Sequence, residues 1–93
     1  MNRYEMLYIL DSSASDEQRE AVISKFEGIV TSDGGKVESI DKWGVKKLAY
    51  LINDKNEGFY VLMTFEAQPT LIAEIERVAG ITDEVMRRLI TRL

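Results

Sequence analysis

Trp43-Gly44-Val45-Lys46-Lys47-Leu48-Ala49-Tyr50-Leu51-Ile52 packs an indole, a glycine, two adjacent lysines and an apolar run into ten residues. The run Leu48 to Ile52 reads as a strand with both faces at least partly covered. Gly44, inside a stretch that otherwise looks extended, predicts a bulge or sharp bend. Lys46 and Lys47 are neighbours, so a regular strand points them to opposite faces, whereas a bend beside the glycine lets both reach outward. The rest of the chain reads as support for this bent, basic ribbon.

On its N-terminal side the strand extends back to Lys36, giving a long element over residues 36–52. Before it, Asp33-Gly34-Gly35 is a turn in which glycine takes positive φ and stops a helix. That helix opens on Ser15 and Gln18, a capping-box pair, with Asp16, Glu17 and Glu20 where the helix dipole favours acid. Val22, Phe26, Ile29 and Val30 share one helical face, widened by Ala21 and Ile23. Arg3 to Leu10 alternates with apolar residues on both faces, as a central strand does.

On its C-terminal side, Asn53 to Gly58 (NDKNEG) is a turn-rich hairpin connection. Phe59, Val61, Met63 and Phe65 then alternate with Tyr60, Leu62 and Thr64. Pro69 stands where it can begin a second helix, whose apolar face is Leu71, Ile72, Ile75, Val78 and Ala79, with Gly80 as its cap. Val85 to Leu93 is a last strand with cationic ends. The order β-α-β-β-α-β folds into a four-stranded antiparallel sheet, order 4-1-3-2, with both helices on one face. It is an α+β class, with Phe26, Ile29, Ile72 and Ile75 expected between helices and sheet. The other face stays free for a partner.

The 93 residues are enough for one domain, residues 1–93, with one core. An apolar fraction of 45% against 30% charged is that of a folded globular chain. Without cysteine there is no disulfide or thiolate chemistry, which fits a reducing compartment. Without histidine the commonest general base and metal ligand is missing. No apolar run approaches the roughly 20 residues that span a bilayer, and MNRYEMLYIL is a poor signal peptide. There is no P-loop or dinucleotide fingerprint, and neither a metal nor a cofactor is expected.

The net charge of −4 argues against a whole-molecule pull on nucleic acid. Its distribution is more telling. Ser15 to Asp33 and Gln68 to Glu84 each net −3, while Lys42 to Lys55 and Val85 to Leu93 each net +3. Acid sits on the helices, base on strands and their turns.

The ordered set Tyr4-Glu5, Gly34-Gly35, Trp43-Gly44, Lys46-Lys47-Leu48-Ala49-Tyr50, Gly58 with Tyr60, Pro69, and Asp83 with Val85-Met86-Arg87 resembles the bacterial small-subunit ribosomal protein six family over essentially the whole chain. Two departures stand out. Leu51 replaces the proline that usually follows Leu-Ala-Tyr in the family. The sequence ends at Leu93, before the tail that often follows the family's fourth strand, so the contacts of such a tail are either absent or trimmed away.

The resemblance implies a ferredoxin-like fold, no catalysis, a cytoplasmic place in the ribosome, and assembly with the central domain of 16S ribosomal RNA. It also implies a partner, small-subunit ribosomal protein eighteen. With it, Lys46 and Lys47 become candidate phosphate contacts, and so do Arg3, Arg87, Arg88 and Arg92, with Tyr4 beside Arg3. Alternation places Arg88 and Arg92 on one face and Arg87 on the other. Tyr50, Tyr60 and Leu62 are assigned to the partner protein, although an aromatic on an open sheet can equally stack a base. Two other functions share this topology: a small-molecule regulatory domain and an acylphosphatase-like hydrolase. The first needs a polar pocket. The second needs a phosphate loop with convergent arginine and asparagine, and here the loop after the first strand is acidic Asp11-Ser12-Ser13.

Overall fold

The computed structural model describes residues 1–52 and 54–93; Asn53, in the hairpin connection read from the sequence, lies outside the described residues. The elements are β1 (Asn2–Asp11), α1 (Asp16–Ser32), β2 (Lys36–Ile52), β3 (Lys55–Ala67), α2 (Leu71–Ile81) and β4 (Val85–Arg92). They form one sheet in the order β2-β3-β1-β4, with every neighbouring pair antiparallel. This is the ferredoxin-like arrangement expected from the element order, with β2 and β4 as the two edges.

Local chemistry accounts for most of the boundaries. Ser15 accepts from the Gln18 backbone N–H at 3.1 Å, and the Gln18 side chain accepts from the Ser15 N–H at 2.8 Å, completing the capping box. Gly34 adopts φ +80° just past α1, where the Gly34 and Gly35 N–H groups satisfy the carbonyls of Thr31 and Val30. Gly35 is also pressed on the sheet: a Cβ there would sit 2.5 Å from the Glu66 carbonyl oxygen. After β1 the Asp11 carboxylate accepts from the Ser13 N–H and hydroxyl at 2.9 and 2.7 Å. Those bonds, the backbone one first, hold its pKa below the usual carboxylate range.

The core fills the space between the helices and one sheet face. Val22, Ile23, Phe26 and Val30 from α1 and Leu71, Ile75 and Ala79 from α2 meet Tyr4, Met6, Tyr8, Leu10, Val61, Met63, Phe65 and Ala67. Phe26 packs edge-on against Tyr8, with centroids 5.1 Å apart. Ile29 and Ile72 are half-buried at its margin. Ala21, read as part of the buried stripe, is exposed.

Three readings of the elements need correction. Leu48 to Ile52 is not covered on both faces: Tyr50 and Leu51 are exposed. The reason is that β1 ends at Asp11, opposite Gly58, so the β2–β3 hairpin projects past its neighbour. The connection is also shorter than NDKNEG suggests. Lys55 to Gly58 belongs to β3, because pairing of Lys46, Lys47 and Ile52 with Gly58, Glu57 and Lys55 satisfies its backbone. Gly80 lies inside α2, which continues to Ile81, and Pro69 sits in the turn before it, accepting from the Ile72 N–H at 3.3 Å.

Candidate nucleic-acid interface

The sheet face away from the helices is built by register. Residues paired across an antiparallel ladder share a face. The pairings Leu62–Leu7–Leu89 and Tyr60–Ile9–Arg87 therefore form two adjacent rungs on the open side, and Thr64–Glu5–Thr91 forms a third. One half of the open face is apolar with a single arginine. The other is polar, ending in Arg3 and Glu66. Around Leu7, Ile9, Tyr60, Arg87 and Leu89 the surface dips into a cavity of about 240 Å³. A second, of about 90 Å³, separates this floor from Leu48, Tyr50 and Ile52 of the projecting hairpin.

The bend in β2 shapes the margin. Gly44 has φ +85°, a conformation that side-chain-bearing residues rarely adopt, and the register shifts between Lys42 and Gly44. This is the bulge expected from the sequence. At the bulge Trp43 lies parallel to Tyr60, with centroids 6.2 Å apart and 10° between planes, and donates from Nε1 to Asp41 at 3.0 Å. From Gly44 to Lys47 the pairing is regular, so Lys46 and Lys47 point to opposite faces and do not both reach outward. Lys46 joins the open face, its Nζ 5.8 Å from the Trp43 ring centre, and Arg87 lies 5.6 Å from that of Tyr50.

The candidate residues thus divide. Lys46, Arg87, Tyr50, Tyr60 and Leu62 share the open face or its rim. Tyr4 does not: it pairs with Phe65 in the ladder, stacks on its ring at 5.7 Å and is only 7% exposed, so it belongs to the core. The phase of β1 that buries Met6 and Tyr8 buries Tyr4 with them. Arg88 and Arg92 pair with Tyr8 and Tyr4, which turns them to the helix side, as alternation predicts. There Arg88 is bound to Glu76 of α2 at 2.9 Å, and Arg92 reaches Asn2 at 3.4 Å. Arg3 is on the open side but forms two bonds to Glu38, at 2.8 and 3.0 Å. These bonds raise the Arg3 pKa and lower that of Glu38. Among the described residues Lys25, Lys36, Lys46, Lys47, Arg87 and Arg92 form no ion pair, whereas Arg3, Arg19, Lys42, Lys55, Arg77 and Arg88 do; of the first six, Lys46 and Arg87 stand at the apolar half of the open face.

Leu7, Ile9 and Leu89 also belong to this surface, although the sequence pattern does not single them out as site residues. Their signal is the second apolar face of β1. Helices that cover only one face of such a strand leave the other to its neighbours: Leu89 is exposed and Leu7 half-buried, while Ile9 is buried beside Gly58 at its floor. No cluster of acidic residues among those described has a metal-binding arrangement.

A partly apolar sheet face carrying unpaired cations is the surface of a candidate binding module on a ferredoxin-like frame. The family model described as Ribosomal protein S6 matches residues 3–92. The chain is 50% identical over 90 residues to the small ribosomal subunit protein bS6 of Clostridium novyi, covering 97% of this chain and 95% of that one. It is 46% identical over 92 residues to its counterpart in Thermoanaerobacter pseudethanolicus, covering 99% and 97%. The crystal structure of 30S ribosomal protein S6 from Thermotoga maritima superposes with a TM-score of 0.93 at 27% identity, covering 99% and 87%. The C-terminal domain of the MgtC protein from Mycobacterium tuberculosis, at TM-score 0.67 and 8% identity, shares the fold alone. The chain belongs to the ribosomal protein S6 family, as a structural, non-enzymatic protein of the small subunit of the cytoplasmic bacterial ribosome.

Proposed function

We propose that this chain binds the central domain of 16S ribosomal RNA jointly with small-subunit ribosomal protein eighteen, using the open sheet face and the adjoining β2–β3 hairpin. The observation that carries the reading is the division of charge. Lys46 and Arg87 stand unpaired on the open face and Lys47 on the opposite side of the same hairpin, while Arg77 and Arg88 are held by acids of α2. Unpaired exposed cations are what phosphate contacts require. The apolar rungs around Leu62, Tyr60 and Ile9 would lie under protein, with Tyr50 at the rim.

Alone, the chain should bind RNA weakly. Few unpaired cations lie at the apolar half of the open face, so few phosphates are neutralised there, and 16 acids oppose 12 bases. A partner would cover the apolar rungs and add cations of its own. Filter binding at fixed salt, with each protein alone and then together, tests this. RNA affinity should rise at least about tenfold when both are present, and by linkage RNA should tighten the protein pair equally. Full-strength specific binding by this chain alone would refute it.

A further inference from the structure

We propose that Trp43 is a stacking platform for one unpaired RNA base, with Lys46 placed to meet that nucleotide's phosphate. This rests on the RNA-binding reading above and adds a residue that the family match does not assign. A stacking platform needs an accessible π face, a fixed orientation and a cation close by. Trp43 has all three. It is 42% exposed on an edge strand, where nucleic acid can pass outside the sheet. Its ring is held by the parallel Tyr60 ring, by the Nε1 bond to Asp41 and by the bulge at Gly44. Little side-chain freedom is left to lose when a base arrives.

The chemistry of the indole narrows the ligand. Its only donor is already given to Asp41, so an incoming group meets the π face and nothing else. That favours a flat ring over a polar side chain. The Lys46 ammonium lies 5.8 Å from the ring centre on a flexible four-carbon stem. A stacking base displaces it toward the phosphate, exchanging a cation–π contact for an ion pair. The Asp41 carboxylate, at the indole N–H, repels phosphate from that edge and so favours one strand direction. An apolar protein side chain finds a better seat beyond Tyr60, in the cavity of Leu7, Ile9 and Leu89.

Trp43 is the single tryptophan of the chain, so its emission reports the site directly. The experiment titrates a 16S central-domain RNA fragment into the chain with tryptophan-free protein eighteen at fixed salt, following emission and filter binding together. Quenching should saturate along the binding curve. Trp43→Ala should weaken RNA binding about tenfold, or ~1.4 kcal/mol, and Trp43→Tyr should restore most of it. Melting curves should show both variants folded. RNA binding with unchanged emission and unaffected variants would overturn the platform and leave the RNA function standing. So would an emission change completed by protein eighteen alone, which would make Trp43 a protein contact. No RNA binding by the wild-type pair would defeat the RNA reading itself, and the platform with it.

Discussion

Gly58 and Ile9 are packed so closely on the open side of the sheet that a β-carbon on Gly58 would overlap Ile9 Cγ2. Gly58 itself is buried, with Leu48 of β2 on its other flank. The glycine is there for space, since its backbone φ is not in the positive region. Gly58→Ala should therefore cost about 1–3 kcal/mol by overpacking. In an Ile9→Ala background the same change should cost little, because the colliding methyl is gone. Urea unfolding of the four proteins of this double-mutant cycle measures the coupling. Strict additivity would show that Gly58 is required for some other reason.

Tyr8 poses the opposite problem inside the core. Its ring is fully buried against Phe26, and its hydroxyl finds no hydrogen-bond partner among the described residues. Burial, with the charges of Glu20 and Glu27 behind it, raises the phenol above its ordinary pKa of about 10. Just above pH 10 the unfolded chain then loses this proton while the folded chain keeps it, so stability falls as pH rises. Tyr8→Phe should be neutral or up to ~1 kcal/mol more stable at pH 7, with its advantage growing near pH ~11. Denaturant melts of both proteins at the two pH values test this. A variant weaker by more than about 1 kcal/mol at neutral pH would mean that the hydroxyl is satisfied in solution.

Periodicity and caps make most of this fold legible. The capping box at Ser15, the stop at Gly34, the bulge at Gly44 and the inward phase of Phe59, Val61, Met63 and Phe65 are local, and each is found in the structure. What is not legible depends on where other strands end. Nothing inside Leu48 to Ile52 says that β1 stops short of it, so in a run that pattern alone covers at least partly on both faces, Ala49, Tyr50 and Leu51 stand exposed while Leu48 and Ile52 are half-buried. Tyr4 differs from expectation for another reason. Its place beside Arg3 suggests the interface, but alternation with Met6 and Tyr8 already assigns it to the helix side. At the candidate site, the alternation of Arg87 and Arg88 is readable, whereas the pairing of Arg88 with Glu76 requires α2 to lie across β4.

That pairing shows which charges to reverse to find the RNA-facing side. Arg19 would be a natural control on α1, but its guanidinium lies 4.5 Å from the Phe59 ring centre, pairs with Asp16 and donates to the Ala14 carbonyl. With its side chain only 15% exposed, reversing it would disturb packing as well as charge. Arg77 is the better control. It is 60% exposed and bonds to Glu74, one helical turn away on α2. Lys46→Glu with Lys47→Glu should weaken joint RNA binding with protein eighteen by at least about tenfold, and Arg87→Glu should do so independently. Arg77→Glu should change it less than about twofold, since an exposed i,i+3 pair contributes only ~0.3–0.5 kcal/mol to stability and faces away from the open sheet. The neutral pair Lys46→Gln with Lys47→Gln should flatten the dependence of log affinity on log salt by about 0.7 for each phosphate no longer neutralised. Because Lys46 and Lys47 form no ion pair among the described residues, thermal stability should hardly move in this neutral pair, whereas Lys47→Glu, opposite Glu57 in the ladder, should lower it slightly. Equal losses from the hairpin and α2 reversals would mean that bulk charge governs binding and that the open face has no special part in it.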